Sequence, residues 1–313
     1  VTSEIARRVL EGDRRALTRA LTWVENGYPE GRELLRELFP RSGGAHIVGI
    51  TGPTGSGKST LVGALARLYR KRGKTVGIVA VDPTSPFSHG AILGDRIRMQ
   101  DLTSDSGVFI RSMATRGALG GLAAATNEVT TVLDASGKDV VLVETVGAGQ
   151  DEVEIADTAH TTVVINIPGA GDDMQAIKAG ILEIADILVV NKADLPNAES
   201  VFKQLHIYTD LTRNEGWQVP ILKVVAYKEQ GIEELLEEIE KHRGHLQSSG
   251  RLEEMKRKRA RRQLLAITQG ILLERVLAKA EADGGIEDLV KAISSREMDP
   301  RTAAEKLIQA AGR

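Results

Sequence analysis

Cysteine is absent from the 313 residues. A disulfide framework, a thiolate zinc site, an iron–sulfur cluster and a cysteine nucleophile are therefore excluded, and a reducing, cytoplasmic setting is the natural expectation, with heat adaptation as another cause of missing thiols. Charge of one sign is not in excess either: 41 Lys and Arg against 43 Asp and Glu give a formal charge of −2. No global field draws such a chain onto nucleic acid or an anionic membrane. Long apolar runs are missing too. Stretches such as Val140 to Val143 and Ile187 to Val190 fall far short of the ~20 residues that span a bilayer. The N-terminus lacks the basic region and apolar core of a secretory signal, so none is expected. What remains, 42% hydrophobic and 27% charged residues, is ordinary for a globular protein. At roughly 100–200 residues per domain the length predicts about two domains, or one large domain with appendages.

Ile5, Val9, Leu10, Leu17, Leu21 and Val24 recur at helical spacing, and Leu34, Leu35 and Leu38 precede a breaker stretch from Pro40 to Gly44. This predicts an N-terminal helical extension over residues 1–44. From His46 the pattern changes to short β-rich runs: Ile47–Thr51, Val76–Val81, Val108–Met113, Val140–Thr145, Thr162–Ile167, Ile187–Asn191 and Pro220–Val225. Helix-length segments separate them, which implies βαβ units and an α/β domain over 45–245, its mostly parallel central sheet flanked by helices. After Gly231 the chain reads as helical. Glu233, Glu234, Glu237, Glu238 and Glu240 form an acidic cluster, and Arg251 to Arg262 carries seven basic and two acidic side chains. A C-terminal helical arm is expected over 246–313, with Leu264, Leu265, Ile267, Ile271, Leu272, Val276 and Leu277 as its apolar stripe. The stripe is either an oligomerisation face or a surface that packs on the sheet domain. The basic run reads as a solvated face, with Glu253 and Glu254 as local partners, so no nucleic-acid partner is expected.

The strongest chemical signal is Gly52-Pro53-Thr54-Gly55-Ser56-Gly57-Lys58-Ser59-Thr60, a match to G-x-x-x-x-G-K-S/T between an apolar strand and a helical run. It reads as a phosphate-binding loop. Gly55 and Gly57 let backbone N–H groups turn inward around an anion, and the following helix adds its positive N-terminus. Lys58 is expected to reach the β and γ phosphates and Ser59 to offer its hydroxyl to Mg²⁺. The base is read by Asn191-Lys192-Ala193-Asp194, which follows the apolar run Ile187 to Val190. The Asp194 carboxylate can accept from the ring N–H and the exocyclic amine of guanine together, whereas adenine offers neither donor there. GTP is therefore preferred over ATP.

Two acids end strands between these motifs. Asp82 follows Val76 to Val81 and Glu144 follows Val140 to Val143, so both can project toward phosphates and their metal; for Asp82 a helix or turn cap is the alternative. Glu144-Thr145-Val146-Gly147 stands where GTPases often carry D-x-x-G, with the Gly147 N–H available to the γ-phosphate. The longer Glu144 suits metal contact through water or a hold on the attacking water. Ala148 and Gly149 separate Gly147 from Gln150, so the usual water-positioning residue is out of place and slow intrinsic hydrolysis is expected. A rearrangement on a partner would complete the site.

In longer blocks the chain resembles the methylmalonyl-CoA mutase-associated GTPases, the MeaB-type chaperones, from the N-terminal helices to the C-terminal arm. Val81-Asp82-Pro83-Thr84-Ser85-Pro86-Phe87 with Gly94-Asp95-Arg96-Ile97-Arg98-Met99 is similar to the first switch, and Glu144 to Glu152 to the second. Pro168 to Gly180, containing Lys178, is similar to the third switch that marks this family. The resemblance implies a P-loop NTPase fold and a homodimeric G protein that docks on an adenosylcobalamin-dependent acyl-CoA mutase. GTP binding and hydrolysis would gate the loading of intact cofactor and removal of damaged cofactor, with adenosylcobalamin held by the mutase and not by this chain. It also implies that Asp82, Asp95 and Glu144 lie near Mg²⁺ and catalysis, and that Lys178 approaches the nucleotide once the mutase is bound, supplying a late cation to the transition state. His89 and Met174 depart from the family pattern. Val224-Val225-Ala226 stands where a Ser-Ala guanine contact is usual, which leaves that contact to the Ala226 backbone.

Three other readings share parts of these features. A nickel-type metal-insertion GTPase holds its cargo through Cys or His clusters, and this chain has no Cys and six scattered His. A protein-targeting GTPase uses a methionine-rich or basic helical domain, against five Met and a near-neutral chain here. An ATP-dependent kinase is opposed by Asn191 and Asp194.

Overall fold

The computed structural model describes residues 1–82, 99–114, 121–145, 151–169, 179–211, 216–282 and 285–311. Two compact units result, Val1–Arg259 and Ala260–Arg313. In the first, three helices, α1 (Thr2–Leu10), α2 (Arg14–Glu25) and α3 (Pro29–Leu38), lead into β1 (His46–Thr51) and α4 (Lys58–Lys71). Then follow β2 (Val76–Asp82), a short α5 (Gln100–Thr103), β3 (Val108–Ala114), α6 (Gly121–Ala135), β4 (Val140–Glu144) and α7 (Asp151–Thr158). β5 (Thr161–Asn166), α8 (Ala179–Leu182), β6 (Ile187–Asn191), α9 (Ala198–Leu211), β7 (Ile221–Val224) and α10 (Ile232–Ser248) complete the alternation. α11 (Arg251–Ala282) runs on to the second unit, where α12 (Gly285–Ser294) and α13 (Pro300–Ala311) follow it.

The seven expected β runs form one sheet in the order β3-β2-β4-β1-β5-β6-β7, and its strand pairs are all parallel. Every residue of β1, β4, β5 and β6 is buried. That is why these strands read as unbroken apolar runs: helices cover both faces. Alternate side chains divide between two layers. Val48, Ile50, Ile78, Leu142 and Val163 pack with Leu61, Leu65 and Tyr69 of α4 and with Leu235 and Ile239 of α10. Ile47, Val79, Val81, Val141 and Val143 turn the other way.

On that second face the N-terminal helices are built into the domain. Ile5, Val9, Leu17, Leu21, Leu34 and Leu38 form one apolar cluster with Val129, Val132 and Leu133 of α6 and with the sheet. Each fully buried aliphatic side chain contributes roughly 1.5–3 kcal/mol of transfer free energy. Polar contacts fix the arrangement: Asp13 caps α2, accepting from Arg15 N at 2.8 Å and Ala16 N at 2.9 Å. Arg14 donates to Val108 O at 2.8 Å, and Arg111 of β3 pairs with Glu25. In the second unit Asp299 caps α13 through Arg301 N and Thr302 N, both at 3.0 Å. The stripe residues Leu264, Leu265, Ile267, Ile271 and Leu272 are exposed.

Candidate functional site

β1 lies at the centre of the sheet between β4 and β5, and it ends at Thr51, where the phosphate loop begins. Two glycines make the turn. Gly52 has φ 147°, and a Cβ there would stand 2.5 Å from Ile165 O. Gly57, which caps α4, has φ 91°, and a Cβ there would stand 2.5 Å from Asn191 Nδ2. Neither backbone conformation nor the space admits a side chain. Lys58 Nζ lies across the loop, donating to Gly52 O at 2.9 Å and Pro53 O at 3.1 Å. Ser59 Oγ donates to Glu144 Oε1 at 2.7 Å, and both side chains are buried. The register explains their meeting: Glu144 ends β4 opposite Ile50 of β1 and Ala80 of β2, one residue short of the loop strand's end. A buried hydroxyl pair, Thr145 Oγ1 to Thr51 Oγ1 at 2.9 Å, ties the two strand ends together.

The second motif is joined to the first by direct bonds. Asn191, at the end of β6 and 2% exposed, donates through Nδ2 to Ser56 O at 2.7 Å and accepts through Oδ1 from Ala226 N at 3.1 Å. Lys192 Nζ donates to Gly55 O at 2.9 Å. The loop backbone around Gly55, Ser56 and Gly57 is thus clamped by β6, while Thr54 and Thr60 stand at its outer side and in the first turn of α4. At Ala226, whose backbone the sequence directs to the base, the N–H is engaged by Asn191. Asp194 lies at the rim, its Oδ2 accepting from Tyr227 Oη at 2.6 Å and Lys228 Nζ at 3.2 Å. The Tyr227 hydrogen bond, then that from Lys228, holds its carboxyl below the usual carboxylate range. Sequence reasoning did not single out Tyr227 or Lys228, although both directly follow Ala226.

Asp82 is the last residue of β2, opposite Ala114 of β3; its side chain lies outside the described residues, as do Asp95, Gly147 and Lys178 entirely. His89 and Met174 lie outside them too. The histidines are less scattered than their numbering suggests. At the opposite, amino-terminal edge of the sheet, Thr161 Oγ1 lies 2.9 Å from both His46 Nε2 and His242 Nδ1. His242 Nε2 is 3.4 Å from Asp186 Oδ1, and the His160 ring stacks beside His46 at 6.0 Å. Among the described residues no group of three or more His, Cys, Asp or Glu is arranged to hold a metal ion.

A glycine-built loop after the central strand, a serine–carboxylate pair at its mouth and an Asn-Lys-Ala-Asp segment at a neighbouring strand end define a P-loop GTPase. Residues 17–281 match the family described as methylmalonyl Co-A mutase-associated GTPase MeaB, and the chain belongs to that family. Membership carries guanine-nucleotide binding and GTP hydrolysis. A Pyrococcus abyssi protein provisionally named a GTPase is 49% identical, the match covering 98% of this chain and 95% of that one. The mouse protein named methylmalonic aciduria type A homolog, mitochondrial, is 29% identical over 96% of this chain and 77% of its own. Among solved structures, one described as an LAO/AO transport system kinase superposes with a TM-score of 0.74 at 29% identity, covering 100% of this chain and 98% of that chain.

Proposed function

We propose that this protein is a homodimeric GTP-hydrolysing chaperone that gates the loading, protection and repair of adenosylcobalamin in a cytoplasmic acyl-CoA mutase, methylmalonyl-CoA mutase or a relative. The observation that carries this reading is the family match over residues 17–281; the name of the mouse relative points the same way. Residues 45–245 are assigned as the GTP-binding domain, 1–44 as a helical extension and 246–313 as the dimerisation arm. The exposed stripe from Leu264 to Leu272 supports the last assignment. No helix among the described residues is long and apolar enough to cross a membrane.

Lys58 and the inward N–H groups of the loop neutralise the β and γ phosphates, while Asp194 selects the base. Ser59 Oγ and Glu144 Oε1, 2.7 Å apart, are hard oxygen donors of the kind Mg²⁺ takes, so the residues present fit that ion. Asp82 and Asp95 are the further carboxylates assigned to it. When bound, Mg²⁺ neutralises developing charge on the β and γ oxygens. With no glutamine directly after Gly147, the free protein turns over slowly, and mutase docking brings Lys178 to the transition state.

The test is GTP turnover by the purified protein, alone and with adenosylcobalamin-dependent acyl-CoA mutases from the same source added singly. Stimulation by one of them, lost in Lys178→Ala while GTP affinity stays near normal, is the expected result. Slow hydrolysis with every mutase would overturn the chaperone reading and leave the GTPase standing. Competition between GDP and ADP separates this reading from the kinase activity that the solved relative's name carries: GDP must displace bound nucleotide at concentrations where ADP does not.

A further inference from the structure

The contact between Asp194 and the turn after β7 has a construction of its own. Residues 226–228 form a short 3-10 turn, closed by a bridge in which Val225 N donates to Gln230 O at 3.0 Å and Gln230 N to Val225 O at 3.3 Å. Glu229 ends the turn in the left-handed region, φ 56°, and its carboxylate takes Arg67 Nε of α4 at 2.7 Å. At the other end Ala226 is buried and bonded to Asn191 Oδ1. The turn is thus tied to β6, β7 and α4 before its two polar side chains are placed. Both of them donate to the same oxygen, Asp194 Oδ2, and Lys228 Nζ lies 5.0 Å from the centre of the Tyr227 ring.

A carboxylate has about four acceptor positions. Two donors converging on one oxygen fill its two acceptor positions, fix the rotation of the group and leave Oδ1 to the base. Guanine presents two adjacent donors on one edge, the ring N–H and the 2-amino group, and the two acceptor positions of a fixed Oδ1 match both. Xanthine replaces the 2-amino donor by a carbonyl acceptor that faces the same charge. We propose that Tyr227 and Lys228 are positioning residues for base selection, holding the Asp194 carboxylate in the single orientation that takes both guanine donors and rejects a 2-oxo purine. This rests on the reading of Asp194 as the base-selecting residue. The lowered carboxyl pKa of Asp194, caused first by the Tyr227 hydrogen bond, agrees with a group kept ionised by its holders.

The experiment uses the full chain and compares the dissociation constants of GDP, XDP and ADP for wild type, Tyr227→Phe, Lys228→Met, the double variant and Asp194→Asn. Tyr227→Phe is expected to weaken GDP by roughly three- to tenfold, the scale of one charge-assisted hydrogen bond and the rotamer freedom it removes, with XDP and ADP unchanged. The GDP-over-XDP preference falls by the same factor. Lys228→Met acts in the same direction but less, and more weakly at high salt because the pair is exposed; Lys228→Arg restores the wild-type preference. The proposal is overturned if the double variant keeps the wild-type GDP-over-XDP ratio. It is equally overturned if GDP, XDP and ADP weaken together, since that is the behaviour of a turn that has merely loosened. Asp194→Asn separates the two levels: an unchanged ratio there sinks the base-selecting reading itself, whereas a lost ratio in Asp194→Asn with an intact one in the double variant removes only the clamp.

Discussion

Replacing Asn191 by alanine tests whether the two nucleotide motifs are mechanically one unit. The side chain is 2% exposed, and Ser56 and Ala226, the residues it bonds, are 0% and 2% exposed. Asn191→Ala removes the 2.7 Å bond to Ser56 O and the 3.1 Å bond from Ala226 N. A buried donor or acceptor that loses its partner costs about 1–3 kcal/mol, so two cost about 2–6 kcal/mol before relief. A water entering the space left by the amide can reach both groups and recover part of this. The expected loss of stability is therefore about 2–4 kcal/mol, read from urea midpoints at constant m-value. GDP affinity, titrated with a fluorescent analogue, should fall at least about tenfold, because the Ser56 carbonyl that orients the loop is released. Asn191→Asp keeps the acceptor facing Ala226 but sets a carboxylate oxygen against the Ser56 carbonyl. It should lose as much as alanine. Stability within about 0.5 kcal/mol of wild type, the range of an ordinary surface change, would refute the clamp.

Lys58→Ala should abolish GDP and GTP binding at micromolar nucleotide, measured by titration calorimetry; wild-type affinity would remove Lys58 from the site. Glu144→Gln should raise the Mg²⁺ concentration for half-maximal turnover by about tenfold or more, since a charged donor at the metal becomes neutral; an unchanged Mg²⁺ requirement would free Glu144 from that role. Stability should fall on acidification. Burial holds the His46 pKa well below 6.5, His160 at about 3 and His242 at about 4. Between pH 6.5 and 4 the unfolded chain therefore binds protons that the native state refuses, and stability declines as the pH drops through that window. Asp186 opposes this: burial raises its carboxyl to about 7, a contribution that is full below the unfolded carboxyl pKa and lost as pH rises through 7. Three imidazoles against one carboxyl leave a net acid-side loss, up to roughly 1.4 kcal/mol per pH unit for each uncompensated proton. Urea midpoints at pH 7.5 and 5.5 measure it, and equal midpoints would refute the assignment of neutral buried rings.

The parts of this fold that were legible in advance are those whose physics is contained in a short stretch of chain. A buried parallel strand must be apolar throughout, so seven apolar runs announced seven strands. The phosphate loop is a six-residue turn whose glycines are compulsory, as the contacts a Cβ would make at Gly52 and Gly57 demonstrate. Asn191 was legible as a motif residue, but its work was not: that it grips Ser56 O depends on β6 and the loop ending side by side, a register no local pattern states. The N-terminal helices were legible as amphipathic helices; their packing into one cluster with α6 and the sheet was not, because an apolar stripe does not say which surface it will cover.

The histidines make the same point from the other end of the sheet. In a parallel sheet all strands start on one edge and finish on the other, so residues far apart in sequence meet wherever they occupy the same strand position. At the finishing edge a ligand imposes compulsory residues at fixed spacings, and the pattern can be read. At the starting edge His46, at the first position of β1, meets Thr161, at the first position of β5, and α10 returns His242 to Thr161. These residues meet one another's hydrogen bonds at Thr161, where water is excluded. Many sets of polar residues would do that equally well, and a requirement met by many sets leaves no motif. The network becomes visible only when the strands are laid side by side, although its signal was present in the coincidence of polar residues at the first positions of two apolar runs.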